Sequence, residues 1–328
     1  MQPAGALSTG LNPHRRRRRL EELAMHDEFP TPVGLIGLGA MGMGVARSLL
    51  RAGLPLYGYD VRREAVSKLA EMGGHPAGNV AGVAASCQVV MLLVVNAAQT
   101  EDVIFGAHGL AETMPPGSVI VTSATVPPQF AADLGRRIAA RGLLNIDAPV
   151  SGGVKGAAEG RLSVMASGPA RAFEICEPLF KAIAAKLYRL GDQPGPGSTV
   201  KMVNQLLAGV HIAAAAEAMA LGIKAGADPE VLYEVISNSA GSSWMFQNRV
   251  PHILAGDYTP ASAVSIFIKD LGIVLDSAHK LSFPLPLTAA AHQIYLSAAA
   301  SGLASEDDSA VIKTYPGIDL PKKTPVES

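Results

Sequence analysis

The chain has 328 residues and a formal net charge of −1, which is enough length for two domains and a large core. The near-neutral charge argues against a nucleic-acid-binding protein, whose affinity depends on dense Lys and Arg contacts to phosphate. Cys87 and Cys176 form neither a CxxC pair nor a metal-like Cys/His cluster. We therefore expect two buried thiols in a reducing, cytoplasmic compartment, and no metal site.

The N-terminal segment 1–30 is polar and carries an arginine run from Arg15 to Arg19. No apolar segment follows the run, so it is not a secretory signal. A basic segment can bind nucleic acid or serve as a targeting address. We interpret 1–30 instead as a disordered tail outside the fold, and 321–328 as a second tail.

From Val33 onward, short apolar runs alternate with helical stretches. The apolar runs are VGLIGLG, LPLYGYD, CQVVMLLVV, GSVIVTSAT and GLLNIDAPVSG, and RLSVMASG and KLYRLG add two more strands. This alternation predicts a parallel, doubly wound α/β sheet. After GDQPGPG the chain changes to long helical patterns. We therefore predict an α/β domain over 31–194 and an all-helical domain over 195–320.

One stretch, residues 206–223, is apolar along its length except for His211 and Glu217. Because it lacks a charge-free run of membrane length, an Ala-rich buried helix explains it better than a membrane span. We interpret His211 as a packing or interface residue.

Ligands of open α/β sheets bind beyond the carboxyl ends of the strands. The first strand runs into a GLGAMG loop, whose glycines permit a tight turn and close approach of a pyrophosphate. Taken alone, this loop also fits an ordinary tight turn. The candidate cofactor-binding residues of the loop are Gly37, Leu38, Gly39, Ala40, Met41 and Gly42.

Polar residues follow the next three strands. Asp60 follows the second strand, where a carboxylate accepts both ribose hydroxyls of NAD and repels a 2′-phosphate. Asn96 and Thr125 follow the third and fourth strands, where a nicotinamide ribose would lie, although either residue could simply cap the next helix. Together with the glycine loop they predict NAD as the cofactor. Arg62 and Arg63 leave some use of NADP open.

The segment DAPVSGGVKGAAEG places Ser151, Gly152 and Gly153 at another strand end. Consecutive backbone N–H groups and a serine hydroxyl suit a small carboxylate. The alternative is a glycine-rich turn whose serine is merely solvated.

Lys201, Asn204 and Gln205 in GSTVKMVNQ share one helical face. A lysine buried in such an apolar helix has a lowered pKa and can act as a general acid/base, whereas an exposed or ion-paired lysine in a first turn is the plainer alternative. Lys269 and Asp270 in IFIKDLG have two interpretations: they form a salt bridge, or Lys269 reaches into the cofactor cleft. The spacing leaves both open.

Four motifs in order, GLGAMG, DAPVSGG, GPGSTVKMVN and KDLG, resemble the β-hydroxyacid dehydrogenases over nearly the whole chain, from about Val33 to Pro316. The resemblance implies a Rossmann-like NAD-binding domain joined by a long helix to an all-helical domain that binds substrate and forms homodimers or tetramers. From the near-neutral charge and the interrupted apolar stretch at 206–223 we expect no nucleic-acid or membrane partner.

Carried over residue by residue, the resemblance implies that Lys201 is the catalytic residue, exchanging a proton with the substrate oxygen. It implies a substrate-carboxylate loop at Ser151–Gly153 and cofactor-side positions at Thr125 and Lys269. Two positions depart from the family pattern: Asp192 replaces a glycine, and Gln205 replaces the usual asparagine.

Within the family, segment 236–260 resembles a branch that oxidises the C2 hydroxyl of L-threonate with NAD, giving 2-dehydro-L-erythronate. The extra hydroxyls of that sugar acid would then be bonded by Asn238, Ser239, Ser242 and Gln205, unless the polar cluster at 238–242 is only an interdomain turn. The alternatives are a 3-hydroxyisobutyrate dehydrogenase or a tartronate or succinic semialdehyde reductase. A dinucleotide-binding module without turnover is the alternative from another class.

Overall fold

The computed structural model describes residues 31–322, so the arginine run lies outside the described residues. A six-stranded sheet with the order β3-β2-β1-β4-β5-β6 forms the first domain, and all its strand pairs are parallel. Its strands are β1 (Val33–Ile36), β2 (Leu56–Tyr59), β3 (His75–Pro76), β4 (Val89–Leu92), β5 (Val119–Thr122) and β6 (Leu144–Asp147).

Helices cover both faces of this sheet, which is why β1, β4 and β5 are fully buried and, apart from Thr122, carry no polar side chain. The prediction of a doubly wound sheet is therefore confirmed. The strand order reverses between β1 and β4, and the carboxyl ends of these strands open the crevice in which such folds bind ligands. The helices are α1 (Ala40–Arg51), α2 (Arg63–Glu71), α3 (Val80–Ser86), α4 (Ala97–Phe105), α5 (Leu110–Thr113) and α6 (Pro128–Ala139).

The two further strands predicted in RLSVMASG and KLYRLG are present. They do not join the six-stranded sheet but form a separate three-stranded sheet with the order β7-β8-β9. Strand β7 pairs antiparallel with β8, and the connection between them begins with Gly152 and Gly153, whose φ angles of 131° and 65° favour glycine. The elements here are β7 (Val150–Ser151), α7 (Gly153–Glu159), β8 (Leu162–Ala166), α8 (Ala170–Ile175), α9 (Glu177–Ile183) and β9 (Ala184–Arg189).

A helical domain follows the last strand, as predicted. Its first helix is the longest and packs against all four later helices and a terminal 3₁₀ helix around one apolar core. The elements are α10 (Pro196–Lys224), α11 (Pro229–Ser237), α12 (Trp244–Leu254), α13 (Val264–Lys280), α14 (Pro286–Ala300) and the 3₁₀ helix Asp308–Thr314.

Helix α10 is the one helix among residues 31–322 that is long and apolar enough to cross a membrane. In the structure, one side of it carries core residues such as Ile212, Ala216 and Met219. Only 39% of its most apolar window is buried, because a second side is exposed. That exposed side carries Val200, Val203, Leu207 and Leu221.

Candidate active site

The turn between β1 and α1 requires glycine at two positions. Gly37 has a φ of +94°, and a Cβ there would lie 2.6 Å from the carbonyl oxygen of Leu93. A Cβ on Gly42 would lie 2.0 Å from the carbonyl oxygen of Gly37. Sterically, therefore, neither position accepts a side chain without moving the backbone.

Gly39 has a different role, because a Cβ there would meet only the end of the Arg62 side chain, at 3.8 Å. The backbone at this residue therefore faces open space. Gly39 is also the N-cap of α1 and supplies no side-chain cap, which leaves the first N–H groups of Ala40 and Met41 available to an anion. The loop fits the pyrophosphate of a dinucleotide.

Asp60 follows β2 and lies beside this loop. Its carboxylate accepts hydrogen bonds from the Leu38 N–H at 2.7 Å and from the Arg62 guanidinium at 3.0 and 3.1 Å. Burial raises the pKa of Asp60, but the bonds from Arg62 and Leu38 outweigh burial and hold it below its usual value. An ionised carboxylate here suits the ribose hydroxyls. The adjoining cleft of ≈ 350 Å³ is lined in part by Gly39, Arg62 and Lys68.

The residues after β4 and β5 line the same edge of the sheet. Asn96 is the N-cap of α4, and its Oδ1 accepts from the Gln99 N–H at 2.9 Å. Without a ligand, the Asn96 side chain therefore caps the next helix, which is the alternative to a cofactor contact. Thr125 contributes its backbone carbonyl, which accepts from Lys269 Nζ at 3.2 Å. That contact joins the helical domain to the sheet.

Lys201 lies in the second turn of α10 and is only 7% exposed. Its Nζ donates to the Val150 carbonyl oxygen at 2.8 Å and to Gln205 Oε1 at 2.8 Å. Burial lowers the pKa of Lys201 to about 8, while the Asp270 carboxylate opposes the shift and the Lys269 ammonium adds to it. A lysine with such a pKa exchanges protons near neutral pH.

Gln205 and Asn204 extend this cluster. Asn204 Nδ2 donates to Gln205 Oε1 at 3.0 Å, and Gln205 Nε2 donates to Asp270 Oδ2 at 2.5 Å. Lys269 Nζ bonds Asp270 Oδ1 at 2.6 Å as well as reaching Thr125. Lys269 therefore forms the salt bridge, and its second bond places its Nζ beside the end of β5; its role towards the cofactor stays a prediction.

The loop Ser151–Gly153 lies directly beside Lys201, because the acceptor Val150 immediately precedes Ser151. A Cβ on Gly153 would meet nothing within 4 Å, so the backbone here is open to a ligand. The predicted carboxylate loop and the predicted acid/base lysine are thus brought together in one place.

Asp147, at the end of β6, fixes where α10 begins. It is 1% exposed and accepts from the N–H of Gly195 at 3.0 Å, the N–H of Ser198 at 2.8 Å and the Ser198 hydroxyl at 2.7 Å. Burial raises the pKa of Asp147, and the bonds from Ser198 and Gly195 counteract that rise. A carboxylate at a helix N-terminus also interacts favourably with the helix dipole.

Asn238 and Ser239 are not brought to this cluster within the chain. Their side chains bond to carbonyls one turn earlier, those of Glu234 and Val235. Leu232 of the same helix packs against Gly222, near the far end of α10 and roughly 30 Å along the helix from Lys201. Their role as substrate ligands remains a prediction.

Sequence reasoning missed the roles of two carboxylates in this site. Asp147 carries no local signal, because its partners Gly195 and Ser198 lie 48 and 51 residues further along the chain. Asp270 is recognisable from the sequence only as a partner of Lys269. Its contact with Gln205 depends on how α10 and α13 pack, which no local spacing reports.

The chain thus combines a buried lysine able to take up a proton near neutral pH with a loop shaped for pyrophosphate at the end of β1. The protein class this defines is a nicotinamide-dinucleotide-dependent dehydrogenase acting on a CH–OH group.

Comparison with known proteins supports the class and narrows it. Residues 32–191 match the NAD-binding domain of 6-phosphogluconate dehydrogenase, and residues 195–315 match the NAD-binding region of NADP-dependent 3-hydroxyisobutyrate dehydrogenase. The L-threonate dehydrogenase of Cupriavidus necator is 60% identical over 89% of this chain and 98% of its own. The enzyme of the same name from Escherichia coli is 50% identical over 88% of this chain and 96% of its own.

Among solved structures, that of a protein named 3-hydroxyisobutyrate dehydrogenase from Salmonella typhimurium is 49% identical. It covers 86% of this chain and 99% of its own, with a TM-score of 0.82. The chain belongs to the β-hydroxyacid dehydrogenase family.

Proposed function

We propose that this chain is an NAD-dependent dehydrogenase of L-threonate, which it oxidises at C2 to 2-dehydro-L-erythronate. The observation that carries the proposal is the buried Lys201 beside the Ser151–Gly153 loop. The names of the relatives at 60% and 50% identity support the choice of substrate.

The residues divide the work between binding and proton transfer. The substrate carboxylate binds the Ser151 hydroxyl and the N–H groups of Gly152 and Gly153. Lys201, as the neutral amine, accepts the C2 hydroxyl proton as the C–H bond breaks, and Asn204 and Gln205 surround it. The bound cofactor supplies the hydride acceptor.

For the cofactor, we propose NAD over NADP. The pyrophosphate binds the loop of Gly37, Leu38, Gly39, Ala40, Met41 and Gly42. Asp60 accepts the adenine-side ribose hydroxyls, and its ionised carboxylate disfavours a 2′-phosphate. Asn96, Thr125 and Lys269 would lie on the nicotinamide side.

Two further proposals concern the whole protein. We propose a homodimer or tetramer in which a second copy covers the exposed apolar side of α10, since a contiguous apolar surface of this kind marks an interaction site. We also propose that the enzyme is cytoplasmic, because Cys87 and Cys176 are both free and buried.

The substrate proposal is tested by initial rates of NADH or NADPH formation. The panel is L-threonate, D-threonate, D-erythronate, 3-hydroxyisobutyrate and glycerate, each with NAD and with NADP. We expect kcat/KM to be highest for L-threonate with NAD. A preference for 3-hydroxyisobutyrate, the substrate for which the Salmonella protein is named, would overturn the substrate while keeping the role of Lys201. Tight NADH binding with no turnover of any acid would favour a non-catalytic dinucleotide-binding module.

A further inference from the structure

The side chain of Gln205 connects two charged groups that lie on different helices. On one side its Oε1 accepts from Lys201 Nζ at 2.8 Å, and on the other its Nε2 donates to Asp270 Oδ2 at 2.5 Å. All three side chains are buried, at 7%, 8% and 2% exposed for Lys201, Gln205 and Asp270. Helix α13 is thereby linked to the acid/base group of α10.

A carboxamide has an accepting end and a donating end, and the two are similar in shape. Asp270 as a carboxylate only accepts hydrogen bonds, so it holds Nε2 of Gln205 on its own side. The accepting Oε1 must then face Lys201. Asn204 Nδ2 supports this orientation, since it donates to the same Oε1 at 3.0 Å.

The orientation decides whether Lys201 can accept a proton. A neutral amine has two N–H donors and one lone pair. In the structure the Nζ has two acceptors, the Val150 carbonyl and Gln205 Oε1. Both N–H groups are therefore engaged, and the lone pair is left for the substrate hydroxyl. If the carboxamide were reversed, its NH₂ group would donate to that lone pair and block it.

We propose that Asp270 is a positioning residue for proton transfer by Lys201, and that it acts through the carboxamide of Gln205. The inference rests on the proposed function, in which Lys201 is the general acid/base. It explains why a glutamine at this position serves the site, since the longer amide reaches both Lys201 and the carboxylate on α13.

The test is the pH dependence of kcat for oxidation in Asp270→Asn. The charged groups acting on Lys201 are Asp270 and Lys269, both on α13, and they act in opposite directions. We expect Asp270→Asn to lower kcat by roughly 10- to 100-fold, a part of the ~10²–10⁴-fold that general acid–base catalysis contributes. We also expect the acidic limb of the pH profile of kcat for this variant to move to lower pH by roughly 1 unit.

Lys269→Gln is the matched control on the same helix. It removes the partner of Asp270 Oδ1 and leaves the bond between Gln205 and Asp270 in place. Its acidic limb should move to higher pH, opposite to that of Asp270→Asn. A lower kcat in both variants with no movement of either limb would mean that Asp270 is only structural, and the proposal would be wrong.

A second measurement separates this proposal from the substrate assignment. In protein labelled with [ε-¹³C]lysine, the Lys201 resonance is identified by its loss in Lys201→Met, and its titration midpoint is measured without substrate. A midpoint that falls in Asp270→Asn and also in Gln205→Leu, which keeps both charges, supports the network even if L-threonate is not the substrate. An unchanged midpoint overturns the network even if L-threonate is turned over.

Should Asp270→Asn fail to fold, Gln205→Leu carries the test. It keeps both charges and a similar volume but removes the carboxamide. We expect kcat to fall by roughly 10-fold or more with the KM for NAD unchanged. A kcat equal to that of the unaltered enzyme would refute the role of Gln205 as the connecting group.

Discussion

Lys201 combines burial with ionisation, and this combination leads to a kinetic prediction. Oxidation requires the neutral amine, so the rate should rise as the pH rises through the Lys201 pKa of about 8. Lys201→Met should lower kcat by ~10²–10⁴-fold, because general acid–base catalysis is lost. NADH affinity, measured by fluorescence titration, should be nearly unchanged. A variant with near-normal turnover would remove Lys201 from the mechanism.

The same substitution should affect stability in the opposite sense. The folded-state pKa of Lys201 lies below the ordinary value of 10.5, so a protonated Lys201 destabilises the fold at neutral pH. This cost is present below pH about 8 and disappears as the pH rises towards 10.5. Lys201→Met should therefore raise the free energy of unfolding at pH 7 by up to about 3 kcal/mol, from 1.36 kcal/mol per pKa unit.

Urea denaturation at pH 7 and pH 10.5 measures this effect. Lys181→Met is a suitable control, because Lys181 is exposed and pairs only with Glu177 one turn away. We expect little change in the control at either pH. A loss of stability in Lys201→Met at pH 7 would show that the charged Lys201 stabilises the fold instead of destabilising it.

At the scale of elements, the start of α10 depends on Asp147. The carboxylate accepts three hydrogen bonds from the helix N-terminus. Asp147→Asn keeps one accepting oxygen but places an NH₂ group against these donors. We expect the free energy of unfolding to fall by about 1–2 kcal/mol. We expect kcat to fall as well, because Lys201 is in the second turn of this helix.

Ser198→Ala is the control for the Asp147 prediction, since it removes the hydroxyl donor and leaves both N–H donors in place. Its effect on stability and on kcat should be smaller than that of Asp147→Asn. Equal effects of the two substitutions would mean that the hydroxyl bond alone holds the helix start.

Local patterns predict most of these elements, but not how distant ones pair. Alternation of apolar runs and helices identified the parallel sheet, and the spacing of Lys201, Asn204 and Gln205 identified a shared helical face. The segment RLSVMASG has the composition of a buried strand in either sheet, so its composition identifies the strand but not the sheet that it joins. Its antiparallel pairing with β7 follows a connection that begins with Gly152 and Gly153.

At the scale of the molecule, the exposed side of α10 predicts association. Val203 and Leu207 are 51% and 50% exposed on this helix, and Leu221 is 70% exposed further along it. A charge at Leu221 would be desolvated in an interface between copies, so Leu221→Glu should lower the molar mass measured by light scattering after gel filtration. Val61→Glu, at an exposed valine of the α/β domain, should leave the mass unchanged. A monomeric unaltered protein would contradict the proposal.

The sequence also predicts more of the cofactor side than of the substrate side. The glycine loop and Asp60 are contiguous with the strands that place them, so their positions follow from the parallel sheet. The substrate side brings together Val150, Lys201 and Asp270 from three separate elements. Asn238 and Ser239 illustrate the limit, since a polar sequence pattern does not report the roughly 30 Å between Lys201 and the part of α10 on which their helix packs.

The bonds of Asp147 with Gly195 and Ser198 also limit how the two domains can move apart. The proton acceptor is attached to the helical domain, yet the bonds of Asp147 to α10 and of Lys201 to Val150 hold it against the sheet. If the cleft opened with these bonds intact, Lys201 would stay next to the Ser151 loop and the contact of Lys269 with Thr125 would break. Substrate and product would then enter and leave on the Lys269 side, and Lys201 would keep its position beside the Ser151 loop during turnover.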